Sequence, residues 1–183
     1  NNKDGTFTDV APTALPHTPW FSMGSDVADI NNDGWLDYMA SDMAGSTHYN
    51  EKMSMGNMSG RESDSWFLNW PVPAQYMRNA VYLNNGSGRF HEVALPSGLA
   101  ATDWTWAVKF ADFDCEGRDD VFITTGMSRD FFNRDLRNQE EELIANISKE
   151  AGNAFWDNKP PLALPNRAVR NRGGLRFGDV GEA

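Results

Sequence analysis

The sequence predicts an all-β chain with a helical insertion, assembled from tandem four-stranded antiparallel units. Three observations predict it. A turn-and-strand motif recurs three times, an acidic nonapeptide recurs twice at the same spacing, and short apolar runs of strand length flank both.

The turn-and-strand motif runs from Asn1 to Val10 and aligns with Asn85 to Val93. Phe7 matches Phe90 and Val10 matches Val93, an offset of 83 residues. A third copy runs from Asn171 to Val180, where Phe177 follows Phe90 by 87 residues. The acidic element Asp29-Ile30-Asn31-Asn32-Asp33-Gly34-Trp35-Leu36-Asp37 aligns with Asp112-Phe113-Asp114-Cys115-Glu116-Gly117-Arg118-Asp119-Asp120. Its offset is again 83 residues. Two different motifs sharing one offset make chance similarity a poor explanation.

The strands follow from the flanks. Residues 23–29 and 105–112 alternate apolar and polar residues, as in Trp106, Val108 and Phe110. Residues 36–41 and 121–125 follow the acidic loops, and Val121-Phe122-Ile123 reads as a buried strand. Residues 80–84 and 167–171 form a third strand. Asn-Gly or Gly-Gly then marks a tight hairpin, and residues 89–93 and 175–180 form the fourth. Residues 1–19 are expected to hold the last strand of a preceding unit plus a connector. One full unit spans 20–95 and a second spans 96–183.

Tandem four-stranded units are how propeller blades are built. The expected architecture is therefore a partial β-propeller of four-stranded antiparallel blades. Two blades cannot close a ring, so the chain reads as a piece of something longer. Long segments separate strands two and three in each unit. The first, about 44–77, is rich in Met, Ser, Gly and Asn. The second holds an expected amphipathic helix over 129–151, with Phe132, Leu136, Leu143, Ile144 and Ile147 near one face.

Composition sets further bounds. The chain has 183 residues, 40% hydrophobic and 12% aromatic, enough to build a core. Its net charge of −10 disfavours nucleic acid and anionic lipid, which need clustered Lys and Arg. The single cysteine, Cys115, excludes an intrachain disulfide. No apolar run approaches membrane-spanning length, so no membrane insertion is expected.

The spacing D-x-[DN]-x-[DE]-G-x-x-D concentrates oxygen ligands. Positions one, three and five turn side chains inward, glycine at six permits a sharp turn, position seven offers a carbonyl and position nine closes the shell. Hard oxygen donors in this number suit Ca²⁺ better than Zn²⁺. The first expected site comprises Asp29, Asn31, Asp33, the Trp35 carbonyl and Asp37. The second comprises Asp112, Asp114, Glu116, the Arg118 carbonyl and Asp120. Without an ion, each close carboxylate pair repels by about 4 kcal/mol at about 4 Å and an effective dielectric near 20. An EF-hand is excluded, because position twelve is Ala40 or Ile123 and strands flank both loops.

At these residues the chain resembles the FG-GAP or VCBS repeats of integrin-α-type propellers. It is most similar to the ASPIC/UnbV-like, cartilage-acidic-protein-like branch. Residues 22–24 leading to Asp29–Asp37, Arg78 to Gly86, and Trp104 to Asp112 carry the resemblance. It implies an extracellular, periplasmic or cell-surface protein with structural Ca²⁺ between the first and second strands of some blades. Glu116 departs from the usual Asp or Asn.

The expected function is a Ca²⁺-stabilised binding, adhesion or scaffold module for protein or carbohydrate. Open blade edges offer a route to self-association. The rival is a polysaccharide lyase or hydrolase on the same scaffold. No nucleophile elbow, zincin helix or phosphate loop is present, so no catalytic residue is assigned. Met53-Ser54-Met55-Gly56-Asn57-Met58 with His48 has the softness for Cu(I), yet reads better as gap-filling packing. Trp20, Trp35, Trp66, Trp70, Trp104, Trp106 and Trp156 read mainly as core, with Trp35 the best exposed sugar platform. The triplets at Asn57, Asn85 and Asn146 match a glycosylation pattern that carries little information.

Overall fold

The structure, a computed structural model, describes residues 1–54 and 73–181. Residues 55–58 of the methionine cluster, Trp66, Trp70 and the Asn57 triplet lie outside that range. In chain order the first elements are α1 (Ala11–Ala14), β1 (His17–Pro19), β2 (Gly24–Ala28), β3 (Asp37–Ser41), β4 (Met43–Ala44) and α2 (His48–Ser54). Next come β5 (Ala74–Tyr76), β6 (Ala80–Asn84), β7 (Phe90–Glu92) and α3 (Ala94–Ser97). The last are β8 (Asp103–Ala111), β9 (Asp120–Thr125), α4 (Arg134–Asn146), α5 (Lys149–Asp157), β10 (Arg167–Asn171) and β11 (Phe177–Asp179).

The strands form two antiparallel meanders, β2-β3-β6-β7 and β8-β9-β10-β11. The chain is mostly β, as expected, with a few helices. Pairing registers are equivalent: Tyr38 faces Tyr82 in one unit, and Val121 faces Val169 in the other. Met39, Val81, Val121 and Val169 are buried and join Val108, Ile123 and Leu99 in one apolar cluster shared by both sheets. Each such side chain stabilises the fold by about 1.5–3 kcal/mol when fully buried.

Two bonds of the hairpin between the third and fourth strands repeat. Asn85 N–H donates to the Arg89 carbonyl at 3.2 Å, and Arg172 N–H to the Arg176 carbonyl at 2.7 Å. Gly86 N–H donates to Asn84 Oδ1, and Gly173 N–H to Asn171 Oδ1, both at 3.0 Å. Asn2 and Thr6, and Lys3 and Asn1, form the same two bonds at the N-terminal copy. The turn is thus present three times. Yet residues 1–10 contain no strand, and Phe7 is 78% exposed. A strand forms by pairing its backbone groups, and no described segment lies alongside this one.

The two units abut through their first strands. Asp26 on β2 accepts from Phe110 N–H on β8 at 2.9 Å and pairs with Lys109 at 3.2 Å. A Cβ on Gly24 would lie 2.7 Å from the Trp106 carbonyl oxygen and 2.8 Å from Ala107 Cα. The approach is backbone on backbone, so only glycine fits. The chain then crosses over. β4 leaves the first sheet and pairs with the edge of β8, Met43 against Trp104. His17–Pro19 pairs in parallel with Ala74–Tyr76, a two-stranded addition with no counterpart in the second unit.

The expected single helix over 129–151 is two helices. Its apolar spacing continues to Ile147, but the backbone breaks there, at φ −125° and ψ −79°. Ser148 then caps α5 by accepting from Ala151 N–H. Asn133 caps α4 in the same way, accepting from Asp135 and Leu136. The helices fold back on each other, and Gly152 leaves room for Ile144. Ile147, at the break, is 69% exposed.

Gly24→Val should destabilise the chain by about 1–3 kcal/mol through overpacking. At this chain length that lowers the thermal midpoint by several degrees, readable by circular dichroism. An unchanged midpoint would mean that β2 and β8 do not meet as described.

Candidate functional site

The acidic nonapeptides are the loops that join the first and second strands of each meander. Asp29 and Asp112 follow directly on β2 and β8, while Asp37 and Asp120 open β3 and β9. Both loops need two left-handed residues: Asn32 at φ 60° and Gly34 at 89°, then Cys115 at 60° and Gly117 at 84°. The glycine at position six meets the expectation. The left-handed residue at position four was not foreseen, although Asn adopts this conformation more readily than most residues.

Hydrogen bonding repeats as closely as the backbone does. The position-one carboxylate accepts from the N–H groups of positions five and six. Asp29 does so at 2.9 and 2.7 Å, and Asp112 at 2.9 and 2.7 Å. The position-nine carboxylate accepts from position two and from the end of the third strand. Asp37 takes Ile30 N–H at 3.1 Å and Asn84 N–H at 2.8 Å. Asp120 takes Phe113 N–H at 3.3 Å and Asn171 N–H at 2.8 Å. Each carboxylate keeps further lone pairs for another partner.

The middle positions differ. In the second loop, Asp112, Asp114 and Asp120 bring oxygens within 4.8 Å of one another, the one such acidic triplet among the described residues. Oxygens about 2.3–2.6 Å from a common Ca²⁺ lie at most about 5 Å apart, so this spread fits one hard cation. Glu116 stands outside the triplet. It pairs with Arg118 at 2.7 Å and with Arg170 at 2.8 Å. The Arg170 guanidinium also reaches Asp114 at 2.7 Å. Its hydrogen bond, with help from Arg118, holds the Glu116 carboxyl below the usual range. In the first loop, Asn31 Nδ2 donates to Asp33 at 2.9 Å, and Asp33 also accepts from Trp35 N–H at 2.8 Å. Trp35 is 51% exposed and lies against the Gly86 turn.

Crowding leaves an electrostatic mark. Burial pushes the Asp37 carboxyl up, and the charges of Asp33 and Asp29 add to the rise. Burial likewise raises Asp119, with Asp112, Asp29 and Asp120 contributing repulsion. The two loops feel each other because they touch. Asn32 Nδ2 donates to the Gly117 carbonyl at 2.9 Å, and Asn171 Nδ2 bridges the Ile30 and Asp119 carbonyls at 2.9 and 3.1 Å.

Sequence reasoning missed Arg170, Asn171 and Asn84. A signal existed for the asparagines. Each ends the third strand of its unit in the aligned hairpin motif, but that motif was read only as turn chemistry.

A model of the FG-GAP-like repeat family matches residues 1–40 and 72–123, just over half of the chain. The chain belongs to the FG-GAP-like repeat family. No curated protein and no solved structure matches it. The matched FG-GAP-like segments contain both acidic loops and, except for Ser41 at the end of β3, all four strands of the first meander. They stop within β9, so the α4–α5 insertion and the Arg170 strand lie beyond them.

Asn171→Ala should cost about 1–3 kcal/mol, because two carbonyls at the junction lose their donor. Both substitutions lose the turn bond to the following glycine, but Asn84→Ala otherwise removes only one 3.2 Å bond to the Leu36 carbonyl and should cost less. Urea midpoints measure both. Equal losses would mean that the bridge between units contributes nothing.

Proposed function

We propose that this chain is a calcium-stabilised propeller segment acting as an extracellular or cell-surface binding, adhesion or scaffold module for protein or carbohydrate. The observation that carries the reading is the convergence of Asp112, Asp114 and Asp120 in a loop whose backbone duplicates the first. Family membership supports an extracellular module, since FG-GAP repeats are typical of adhesion propellers. Among the described residues no helix is long and apolar enough to cross a membrane. The stretches at Arg78–Gly86 and Trp104–Asp112 support placement in the ASPIC/UnbV-like branch. Residues 1–19 then belong to a preceding blade, with 20–95 and 96–183 as successive blades. The outer edges at β7 and β11 are where further strands or copies would add.

In this reading Asp29, Asn31, Asp33, the Trp35 carbonyl and Asp37 hold one Ca²⁺. Asp112, Asp114, the Arg118 carbonyl and Asp120 hold the other, with Glu116 joining only if it leaves its arginines. The ion supplies positive charge where burial has crowded carboxylates. Arg170 already supplies some at the second loop, so a cation there competes with a guanidinium. The two sites should therefore differ in affinity, the second being the weaker.

The enzyme reading needs a pair of carboxylates free for chemistry. Asp103 and Asp130 line one cavity away from the loops. Both oxygens of Asp103 are taken by Ser46 and Asn50, however. That favours binding over turnover.

Calcium at about one hundred times its dissociation constant should stabilise the fold by about 2.7 kcal/mol per site, and chelator should reverse the gain. Asp114→Ala should remove the second site's share, and Arg170→Gln should tighten calcium there. Calorimetric melts with calcium and with chelator read all three. A midpoint indifferent to both would overturn the reading.

A further inference from the structure

The two long insertions meet beside β4 and β8 and enclose a cavity of about 220 Å³. α2 and Met43 close one side of it, and the segments around Asp130 and Leu162 close the other. Two residues of this wall each carry a buried side-chain atom with no hydrogen-bond partner, Trp104 Nε1 and Asp130 Oδ1. Asp130 uses its other oxygen to accept from Asn133 at 3.1 Å. A buried polar group left unpaired costs about 1–3 kcal/mol. Here the orphans are complementary: one lacks an acceptor and the other lacks a donor.

We propose that this cavity binds a neutral polyhydroxylated ligand of pyranose size, through Trp104 and Asp130. The proposal rests on the binding-module reading and names a ligand class and a place for it. A hydroxyl both donates and accepts, so one such group, or two neighbours on a sugar ring, satisfies both orphans. Among the described residues no Lys, Arg or His lines the cavity, and Asp103 and Asp130 do. A carboxylate or phosphate would meet only negative charge. An ammonium would satisfy Asp130 and leave the indole N–H unpaired. Apart from Tyr49, Asn50 and Asn133, the rest of the described wall is apolar. Phe132 stacks on Trp104 at 4.4 Å and 22°, and Met43, Met127 and Leu162 complete the surface against which C–H groups pack. Small, mostly apolar sites with a few convergent polar groups are the usual form of ligand pockets.

The test is calorimetric titration of the full chain, in calcium, with methyl glucoside, methyl galactoside and methyl mannoside. Choline and glucuronate serve as cationic and anionic comparisons. At least one neutral glycoside should bind saturably. Trp104→Phe, which keeps the ring and loses the donor, should weaken it tenfold or more, and so should Asp130→Ala. Trp20→Phe, outside the cavity wall, should leave it unchanged. Absence of neutral glycoside binding would overturn the proposal, as would preference for choline or glucuronate. Wild-type affinity in Trp104→Phe would also overturn it, even where Asp130→Ala fails to fold. The calcium-dependent melt reads the acidic loops separately, so either idea fails without the other.

Discussion

The fold turns on a buried carboxylate at the start of the second strand in each meander. Asp37 is fully buried, and Asp120 is 5% exposed. Removing a carboxylate from water is expensive unless donors surround it. Here the donors are two backbone N–H groups, one from the loop's second residue and one from the end of the third strand. One side chain thus fastens a loop, the strand it opens and a strand more than forty residues away. An amide offers a single acceptor oxygen and would leave one N–H unpaired. The nonapeptide is therefore a structural staple in its own right, and a cation reading adds to that role.

Duplication set two copies of this staple in contact, and the copies then diverged in how they manage charge. The first loop spends Asn31 on Asp33, one neutral donor on one carboxylate. The second replaces that neutral economy with ions: Glu116 between Arg118 and Arg170, and Arg170 also on Asp114. Exposed ion pairs of this kind contribute little to stability. Their consequence lies in competition, because a guanidinium on Asp114 must be displaced before that oxygen serves another cation. The sharpest difference between the copies is thus a side chain on β10, outside both motifs.

Local signals account for what was legible in the sequence. The expected strands at 80–84 and 167–171 coincide with β6 and β10, and the remaining meander strands differ by only a residue or two at their ends. Alternation, turn glycines and the 83-residue register all act within a unit. What escaped was set from far away. Met43 and Ala44 carry no periodicity, and they become β4 because β8 presents an open edge. Arg170 and Asn171 reach the second loop across more than fifty residues, and Asn171 reaches Ile30 across 141. The helix break was local and still missed. Apolar spacing through Ile147 outweighed the capping serine that follows it. Phe7 shows the opposite failure, a motif present without the neighbour that would make it a strand.

Invariance and variation are divided in space. Backbone hydrogen bonds of the hairpins and acidic loops repeat almost unchanged, since any slip there would unpair buried groups in both sheets. The cavity draws its wall from the parts that do not repeat, namely α2 with Gly45 from the first insertion, and Met127, Phe132 and Leu162 from the second. Only Asp103 and Trp104 come from a repeated strand, and Asp103 sits at a positive φ of 61°, held there by Ser46 and Asn50. The insertion bends the strand's first residue to its own purpose. A scaffold with its stability vested in the repeated staples is free to vary what the insertions enclose, which is how one fold carries different sites. Binding specificity in this chain is therefore to be sought where the two units differ.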